Sequence, residues 1–265
     1  MEVHHSHSST GKGTKKKWTH YIWEFLMLFL AVFCGFMAEN IREHQVEKHR
    51  AHELARSFYE ELKGDSVNAA LKIKNRVRQE QALSFLMDYF KDSSLTNVSK
   101  SFSVNFLYGI LFRSPSMFEA RTVVLEQLKN SGSLRYFKNE ELQKLIGDLS
   151  VAITNIQDRQ ALESSVRMNY LNPIIIGHYD YSFERMLRKT YPGDIFSAIA
   201  KYEQGTDSIP FHFRDAEKFD RAKGTNTVGF YGMNGMESTR TVHLQKYTEI
   251  NTRLLSLLRE EYGLE

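Results

Sequence analysis

Hydrophobic and polar positions alternate with helical periods along most of the chain, but one stretch near the N-terminus has no polar side. Residues Ile22 to Ala38 include a single charged side chain, that of Glu24. With Trp18 to Tyr21 in front, the stretch has about 20 residues, the length needed to cross about 30 Å of hydrocarbon. A soluble core helix of this length would carry a polar stripe. The pattern therefore predicts a transmembrane helix over residues 21–39, with the lipid bilayer as its partner.

A cleaved export signal and a lipoprotein signal are the alternatives to a retained span. Cleavage after Ala38 would place Phe36 where a small residue is needed. A lipoprotein signal would use Cys34, but the bulky Phe33 precedes it. Both features favour a span that stays in the mature protein.

The lysines in front of the span predict its orientation. Lys12 and Lys15 to Lys17 precede it, whereas Arg42, Lys48 and Arg50 follow it. Short loops rich in Lys and Arg stay in the cytoplasm. We therefore expect a cytoplasmic N-terminus, a single pass through the inner membrane and a periplasmic C-terminal domain.

The segments on either side of the span differ in character. Residues 1–20 begin with a small, polar and basic stretch, which predicts a disordered cytoplasmic tail. His4, His5 and His7 in this tail are more simply read as solvated than as metal ligands. Residues 40–63 contain neither Gly nor Pro and predict a helical stalk that continues the span. Gly64 with Asp65 then predicts a helix stop and a new start.

Residues 64–265 are predicted to form an α-helical bundle, so the fold class is all-α. One apolar stripe starts after an expected cap at Asn139 and continues through Leu162 and Val166. Gly132 is expected to end the preceding helix with a positive φ, and Phe137 to pack back as a plug.

Five glycines interrupt the helical period between residues 205 and 235, which predicts one long loop rich in Gly and aromatic residues. Aromatic side chains bury a large area each, so this loop must pack somewhere. We expect Phe211 and Phe213 to be buried against helices of the same chain. Phe230 and Tyr231 are predicted to be more exposed and to contact a partner.

The composition excludes several classes of function. The 35 basic and 32 acidic residues nearly balance, which argues against a nucleic-acid partner. The single cysteine rules out a disulfide within the chain. Sequence motifs for a catalytic residue, a cofactor site or a metal site were not found, so the chain is predicted not to be an enzyme. A metal or acid–base site could be formed by His178, Asp180 and Glu184, with His212 and Asp215 completing it across the loop. His178 and Asp180 are two residues apart in a predicted helix, however, so their side chains diverge, and Asp180 and Glu184 are more simply read as solvated.

Glu24 is the single residue most suggestive of function. An ionisable group inside a membrane span is a functional hypothesis in itself, because burying its charge in lipid is costly. Glu24 lies close to the cytoplasmic end of the span, where its carboxylate can also reach water and the preceding lysines. Ion coupling with a multi-span partner and simple snorkelling to the interface both remain open.

Two segments resemble a family of uncharacterised bacterial proteins. They are "YIWEFLMLFLAVFCGFMAENIREH", starting at Tyr21, and "EARTVVLEQLKNSGSLRYFKNEELQKLIGDL", starting at Glu119. Within the second segment, Leu128 to Arg135 fit the most specific motif. Members of that family have one N-terminal membrane helix and a helical domain of unknown function, so the resemblance implies a topology and a fold but no activity.

Together these patterns predict a membrane-anchored, non-enzymatic binding or scaffold protein of the bacterial cell envelope. Its protein partner, or a second copy of the chain, would contact the span, the stalk or residues 205–235. A subunit of an ion-driven envelope complex that uses Glu24 is the alternative. A membrane-tethered hydrolase or metal enzyme is the second alternative.

Overall fold

The computed structural model describes residues 14–113 and 116–264, and its regular structure within these ranges is entirely helical. The α-helices are α1 Thr14–Asp92, α2 Lys100–Phe106, α3 Val123–Asn130, α4 Glu140–Val166, α5 Asn172–His178, α6 Tyr181–Thr190, α7 Ile195–Gln204, α8 Arg221–Phe230 and α9 Gln245–Tyr262. Wider π-helical turns are π1 Leu107–Leu111, π2 Arg167–Leu171, π3 Tyr231–Glu237 and π4 Thr239–Leu244. Short 3₁₀ turns cover Ser133–Tyr136 and Ala216–Lys218. The predicted all-α class is confirmed.

Helix α1 passes through two positions where a boundary was predicted. It begins at Thr14, so residues 14–20 of the expected tail are helical, while His4, His5, His7 and Lys12 lie outside the described residues. It also continues through Gly64 and Asp65, where a helix stop was expected. A β-carbon on Gly64 would come within 3.2 Å of the Arg121 guanidinium, so this glycine leaves room for a side chain rather than ending the helix.

The chain divides into two compact units, residues 1–53 and 54–265. In the first unit, every described side chain from Trp18 to Val46 is exposed. Here α1 is long and apolar enough to cross a membrane, and none of its apolar window is buried in the structure. The core helix of a soluble protein would be mostly buried, so the exposure fits a span better than a core helix.

An aromatic cluster fills much of the core in the second unit. Phe102 on α2 lies 5.8 Å, centroid to centroid, from Phe211 and 5.7 Å from Phe213. Phe211 and Phe213 are 7% and 5% exposed, so the prediction that they are buried within the same chain is confirmed. Phe106 stacks on Tyr179 and extends the cluster toward α6.

The predicted loop over residues 205–235 is wrong in its second half. Residues 221–237 form α8 and π3, and the segment without regular helix is shorter. Two of the glycines that suggested a loop are close-packing positions. A β-carbon on Gly224 would meet Phe219 Cζ at 2.2 Å, and one on Gly229 would meet Met87 Sδ at 3.1 Å.

The connection between α3 and α4 follows the sequence closely. Gly132 has a φ of 69°, and Phe137 is fully buried, both as predicted. The Asn139 side chain accepts a hydrogen bond from the Leu142 backbone N–H and caps α4. The apolar stripe of α4 continues into π2, as its spacing indicated.

Candidate functional site

Glu24 lies on the exposed surface of α1 in the first unit, one helical turn after His20. Its carboxylate oxygen is 3.4 Å from His20 Nε2, and its side chain is 61% exposed. At 100° per residue, Ala31 and Gly35 project from the same face of the helix as Glu24. Small residues on a helix face let a neighbouring membrane helix approach closely, and Ala31 and Gly35 supply them further along the face that carries Glu24.

The structure separates the two predicted contact residues, Phe230 and Tyr231. Phe230 ends α8 with 49% of its surface exposed, whereas Tyr231 begins π3 with 1% exposed. Successive residues of a helix point about 100° apart, so one faces solvent while the next faces the core. Phe230 is available for a contact, but the prediction that Tyr231 is exposed is wrong.

Phe230 lies at one wall of a groove of about 680 Å³ between α4 with π2 on one side and α8 on the other. The groove is lined by Leu162, Ser165, Val166, Asn169, Tyr170, Lys223, Asn226, Thr227 and Phe230. On α8 these positions recur with spacings of three and four residues, so they form one helical face. We call this feature the Phe230 groove.

The Phe230 groove exposes apolar side chains on both walls. Leu162 is 43% exposed and Tyr170 is 51% exposed, facing Phe230 across the groove. The apolar stripe of α4 predicted Leu162 and Val166 as core positions, so it signalled this wall without showing that it is open. Tyr170 carried no such signal, because its position depends on the π2 turn. Single-turn π-helical segments occur frequently at functional sites.

A buried ion pair braces the helices that form this groove. Arg76 and Glu163 are 0% and 2% exposed, and they pair through two hydrogen bonds of 2.9 and 3.1 Å. Arg76 also donates to the backbone carbonyls of Ser116, at 3.0 Å, and Met236, at 3.3 Å. Glu163 follows Leu162 on α4, and Met236 lies in π3, which continues α8. The Arg76 side chain of α1 is therefore hydrogen-bonded both to α4 and to the π3 turn that continues α8.

Sequence reasoning missed this pair because nothing local indicates it. Arg76 and Glu163 are 87 positions apart, and each lies in a helix that also carries exposed charges. Fully buried Arg and Glu residues are rare unless they are paired. A pairing over this distance is visible only once the helices are placed.

The structure brings His178 and Asp180 next to the segment that contains His212, but their contacts are a helix cap and hydrogen bonds to the backbone. Asp180 caps α6 through the Ser182 and Phe183 backbone N–H groups, and its other oxygen accepts a 3.0 Å hydrogen bond from the His212 backbone. Although burial opposes the change, the hydrogen bond from the Ser182 hydroxyl, together with these backbone hydrogen bonds, holds the pKa of Asp180 below its usual value. His178 Nδ1 lies 2.7 Å from the Arg214 carbonyl oxygen.

The remaining members of that cluster are engaged elsewhere. Glu184 accepts hydrogen bonds from the Tyr179 hydroxyl, at 3.2 Å, and from Arg188. Asp215 forms an ion pair with Lys218 at 3.4 Å. In residues 14–113 and 116–264, the His, Cys, Asp and Glu side chains form no group of three or more that could hold a metal ion.

Comparison with known proteins adds no further information about this chain: no protein-family model, no curated protein and no solved structure matches it.

Proposed function

We propose that this chain is a membrane-anchored, non-enzymatic helical protein that binds a protein partner through the Phe230 groove. The observation that carries the proposal is the groove itself, with half-exposed apolar side chains on both walls. The exposed apolar run of α1 supports the anchor. The resemblance to bacterial single-span proteins suggests a bacterial inner membrane for the anchor, and the lysine bias suggests a cytoplasmic N-terminus and a periplasmic second unit. Membership of the family of bacterial single-span proteins stays a prediction.

The shape of the groove favours an amphipathic helix as the partner segment. The wall formed by α4 and π2 carries Leu162, Val166 and Tyr170 at spacings of four residues, and Phe230 faces them from α8. This arrangement matches the apolar face of a third helix. Polar groups at Asn169, Lys223 and Asn226 rim the groove and can fix the orientation of that helix. Covering the exposed part of the Phe230 ring would contribute about 2 kcal/mol, or about 30-fold in Kd.

Photo-crosslinking in living cells tests this proposal. The photoreactive residue p-benzoylphenylalanine replaces Phe230 in the full-length chain, expressed in the organism that encodes it. A matched control carries it at Ile176 on α5, which is 79% exposed and does not line the groove. We expect a discrete adduct from position 230 and none from position 176. An adduct at twice the mass of the chain would identify the partner as a second copy.

A variant of the groove gives the complementary result. With the photoreactive residue at Tyr170, on the opposite wall, Phe230→Ser should abolish the adduct without changing the far-ultraviolet circular dichroism of the purified chain. Equal adducts from positions 230 and 176, or none from 230, would contradict the proposal.

A role in an ion-driven envelope complex is the second candidate, and the position of Glu24 supports it. Its carboxylate projects from the exposed apolar helix, on the same face as Ala31 and Gly35. If Glu24 couples to an ion, Glu24→Gln should abolish the function of the complex while membrane level and fold are kept, and Glu24→Asp should restore part of it. We expect Glu24→Gln to be nearly silent, because it removes a charge whose burial in lipid is unfavourable.

A further inference from the structure

A second cleft lies on the other side of α4 from the Phe230 groove, beside an excess of positive charge. Three guanidinium groups, those of Arg76, Arg113 and Arg167, lie close enough to the buried Tyr231 phenol to act on its titration. Burial raises the pKa of Tyr231, the Glu163 carboxylate raises it further, and the three arginines oppose this shift. Around the Tyr231 phenol, the Glu163 carboxylate therefore stands against three guanidinium groups.

The charge of Glu163 is already matched by one of the three arginines. Both of its oxygens accept hydrogen bonds from Arg76, so the pair is locally neutral. The positive charges of Arg113 and Arg167 remain. Among the residues that the structure describes, neither forms an ion pair within 4.0 Å of a carboxylate.

Arg167 is satisfied by backbone carbonyls. It donates to the Ile110 oxygen at 2.6 Å and to the Leu111 oxygen at 2.5 Å, at the end of π1. These carbonyls are left without a helical partner where π1 stops, so a cation there is favourable. Burial, and to a smaller degree the charge of Arg113, lower the pKa of Arg167. This arginine therefore has a structural role, although its charge adds to the local field.

Arg113 is less completely satisfied. Its Nη2 donates to the Gln160 carbonyl at 3.2 Å and to the Ser164 hydroxyl, whereas its buried Nε has no hydrogen-bond partner in the described structure. A partly buried guanidinium with a buried, unpartnered N–H is costly, because each polar group removed from water needs a replacement partner. The Nε itself is closed to solvent, so an anion would meet the partly exposed remainder of the Arg113 side chain, whose charge no carboxylate of the described residues neutralises.

A cleft of about 410 Å³ opens beside Arg113. Its accessible polar side is formed by Arg113, Gln157 and Ser164, and its accessible apolar side by Met117, Ala120 and Ala161. Gln160 also holds the Phe118 backbone through two hydrogen bonds of 2.8 and 2.9 Å, which fixes the wall of the cleft. Glu119 lies at the exposed rim and forms no ion pair with Arg113.

We propose that this cleft binds a small organic carboxylate, with the carboxylate on Arg113 and an apolar body against Met117, Ala120 and Ala161. The volume lies in the range of small-molecule sites, which combine apolar walls with a few polar groups that fix orientation. A guanidinium recognises a carboxylate through charge-assisted hydrogen bonds. The apolar walls favour a carboxylate with a hydrocarbon body over a bare inorganic anion. This site is separate from the Phe230 groove, so either proposal can fail alone.

Equilibrium dialysis on the full-length chain in lipid nanodiscs tests the site, with 3-phenylpropionate as the probe. Empty nanodiscs correct for partition into lipid. The neutral probe 3-phenylpropanamide has nearly the same shape and lacks the charge. We expect saturable binding of the acid to one site, binding of the amide weaker by about tenfold or more, and no competition from a tenfold excess of inorganic phosphate.

Variants assign the binding to Arg113. Arg113→Gln should weaken binding of the acid by about tenfold or more, and Arg113→Lys should retain part of it. Arg253→Gln, which removes an exposed arginine paired with Glu141, is the matched control and should bind like the wild type. If Arg113→Gln does not fold, the comparison of acid and amide on the wild-type chain decides.

Three results would overturn the proposal. They are the absence of saturable binding of 3-phenylpropionate, equal binding of acid and amide, and unchanged binding by a folded Arg113→Gln chain. Competition by phosphate equal to that of unlabelled acid would overturn the assignment of an apolar body.

Discussion

The buried pair of Arg76 and Glu163 gives the most quantitative prediction. Arg76→Met removes two hydrogen bonds to a carboxylate that is 2% exposed, and two more to the carbonyls of Ser116 and Met236. Removing one partner of a buried pair leaves the other charge unmatched, which typically costs about 3–5 kcal/mol. A domain has about 5–15 kcal/mol of total stability, so this single change should bring the second unit close to unfolding.

The double variant Arg76→Met, Glu163→Met distinguishes two contributions to the free energy of unfolding: the destabilisation by an unpaired buried charge and the stabilisation by the ion pair itself. Replacing both partners by apolar side chains of similar volume is often neutral or stabilising. The double variant does leave the Ser116 and Met236 carbonyls without their donor, which costs about 1–3 kcal/mol where such a group stays buried. We therefore expect it to be more stable than Arg76→Met alone, although less stable than the wild type.

Urea unfolding of the full-length chain, followed by far-ultraviolet circular dichroism, measures these differences. Both tryptophans, Trp18 and Trp23, lie in the first unit, so their fluorescence would not report on the second. Arg253→Met is the surface control, because Arg253 and Glu141 pair while about half exposed, and it should behave like the wild type. Equal midpoints for Arg76→Met and Arg253→Met, or a double variant less stable than Arg76→Met, would refute the reasoning.

Two further predictions concern single positions in the second unit. Burial raises the pKa of Asp65, although hydrogen bonds such as that from the Tyr247 hydroxyl oppose this shift. The stability that Asp65 contributes is therefore present below pH 3.8 and is lost as the pH rises through its folded pKa. The melting temperature of Asp65→Asn minus that of the wild type should therefore increase from about pH 3.5 to about pH 7, and a constant difference would contradict this. Gly224→Ala should destabilise the chain by about 1–3 kcal/mol in urea unfolding, because the new β-carbon would lie 2.2 Å from Phe219 Cζ. Gly147→Ala is its control, since a β-carbon there meets nothing within 4 Å, and it should be neutral or slightly stabilising; equal effects of the two changes would disprove the packing argument.

The sequence predicts the local features of this fold well, because they depend on neighbouring residues. The left-handed turn at Gly132 and the cap at Asn139 follow from backbone chemistry within a few positions. The apolar run around Glu24 is equally local. Burial of Phe211 and Phe213 follows from the area that each ring must remove from water.

The wrongly predicted helix breaks have one physical origin: a glycine can either end a helix or leave space for a neighbouring side chain. At Gly64 and Gly224 the missing side chain gives space to Arg121 and Phe219, so the helix continues where a break was predicted. A sequence alone does not distinguish a glycine that ends a helix from one that admits a neighbour. The burial of Tyr231 was missed for the same reason, since residues 221–237 were not recognised as helical and the face of each side chain was therefore unknown.

The candidate sites depend on contacts between distant segments. The Phe230 groove needs α4, π2 and α8 to be adjacent, and its brace joins Arg76 to Glu163 across 87 positions. The apolar stripe of α4 indicated one wall, through Leu162, but not the facing one. Only the placement of the helices reveals that both walls remain open.

The size of the complex extracted from membranes is the most direct test of the Phe230 groove as the site that binds a protein partner. The wild-type chain, Phe230→Ser and Ile176→Ser would each be solubilised from membranes in mild detergent, and their masses measured by size-exclusion chromatography with light scattering. We predict that the wild type and Ile176→Ser elute in one complex heavier than the single chain, and that Phe230→Ser elutes as the single chain with its helical content unchanged. A wild type that elutes alone, or a Phe230→Ser chain that stays in the complex, would contradict the assignment of the Phe230 groove as the partner site.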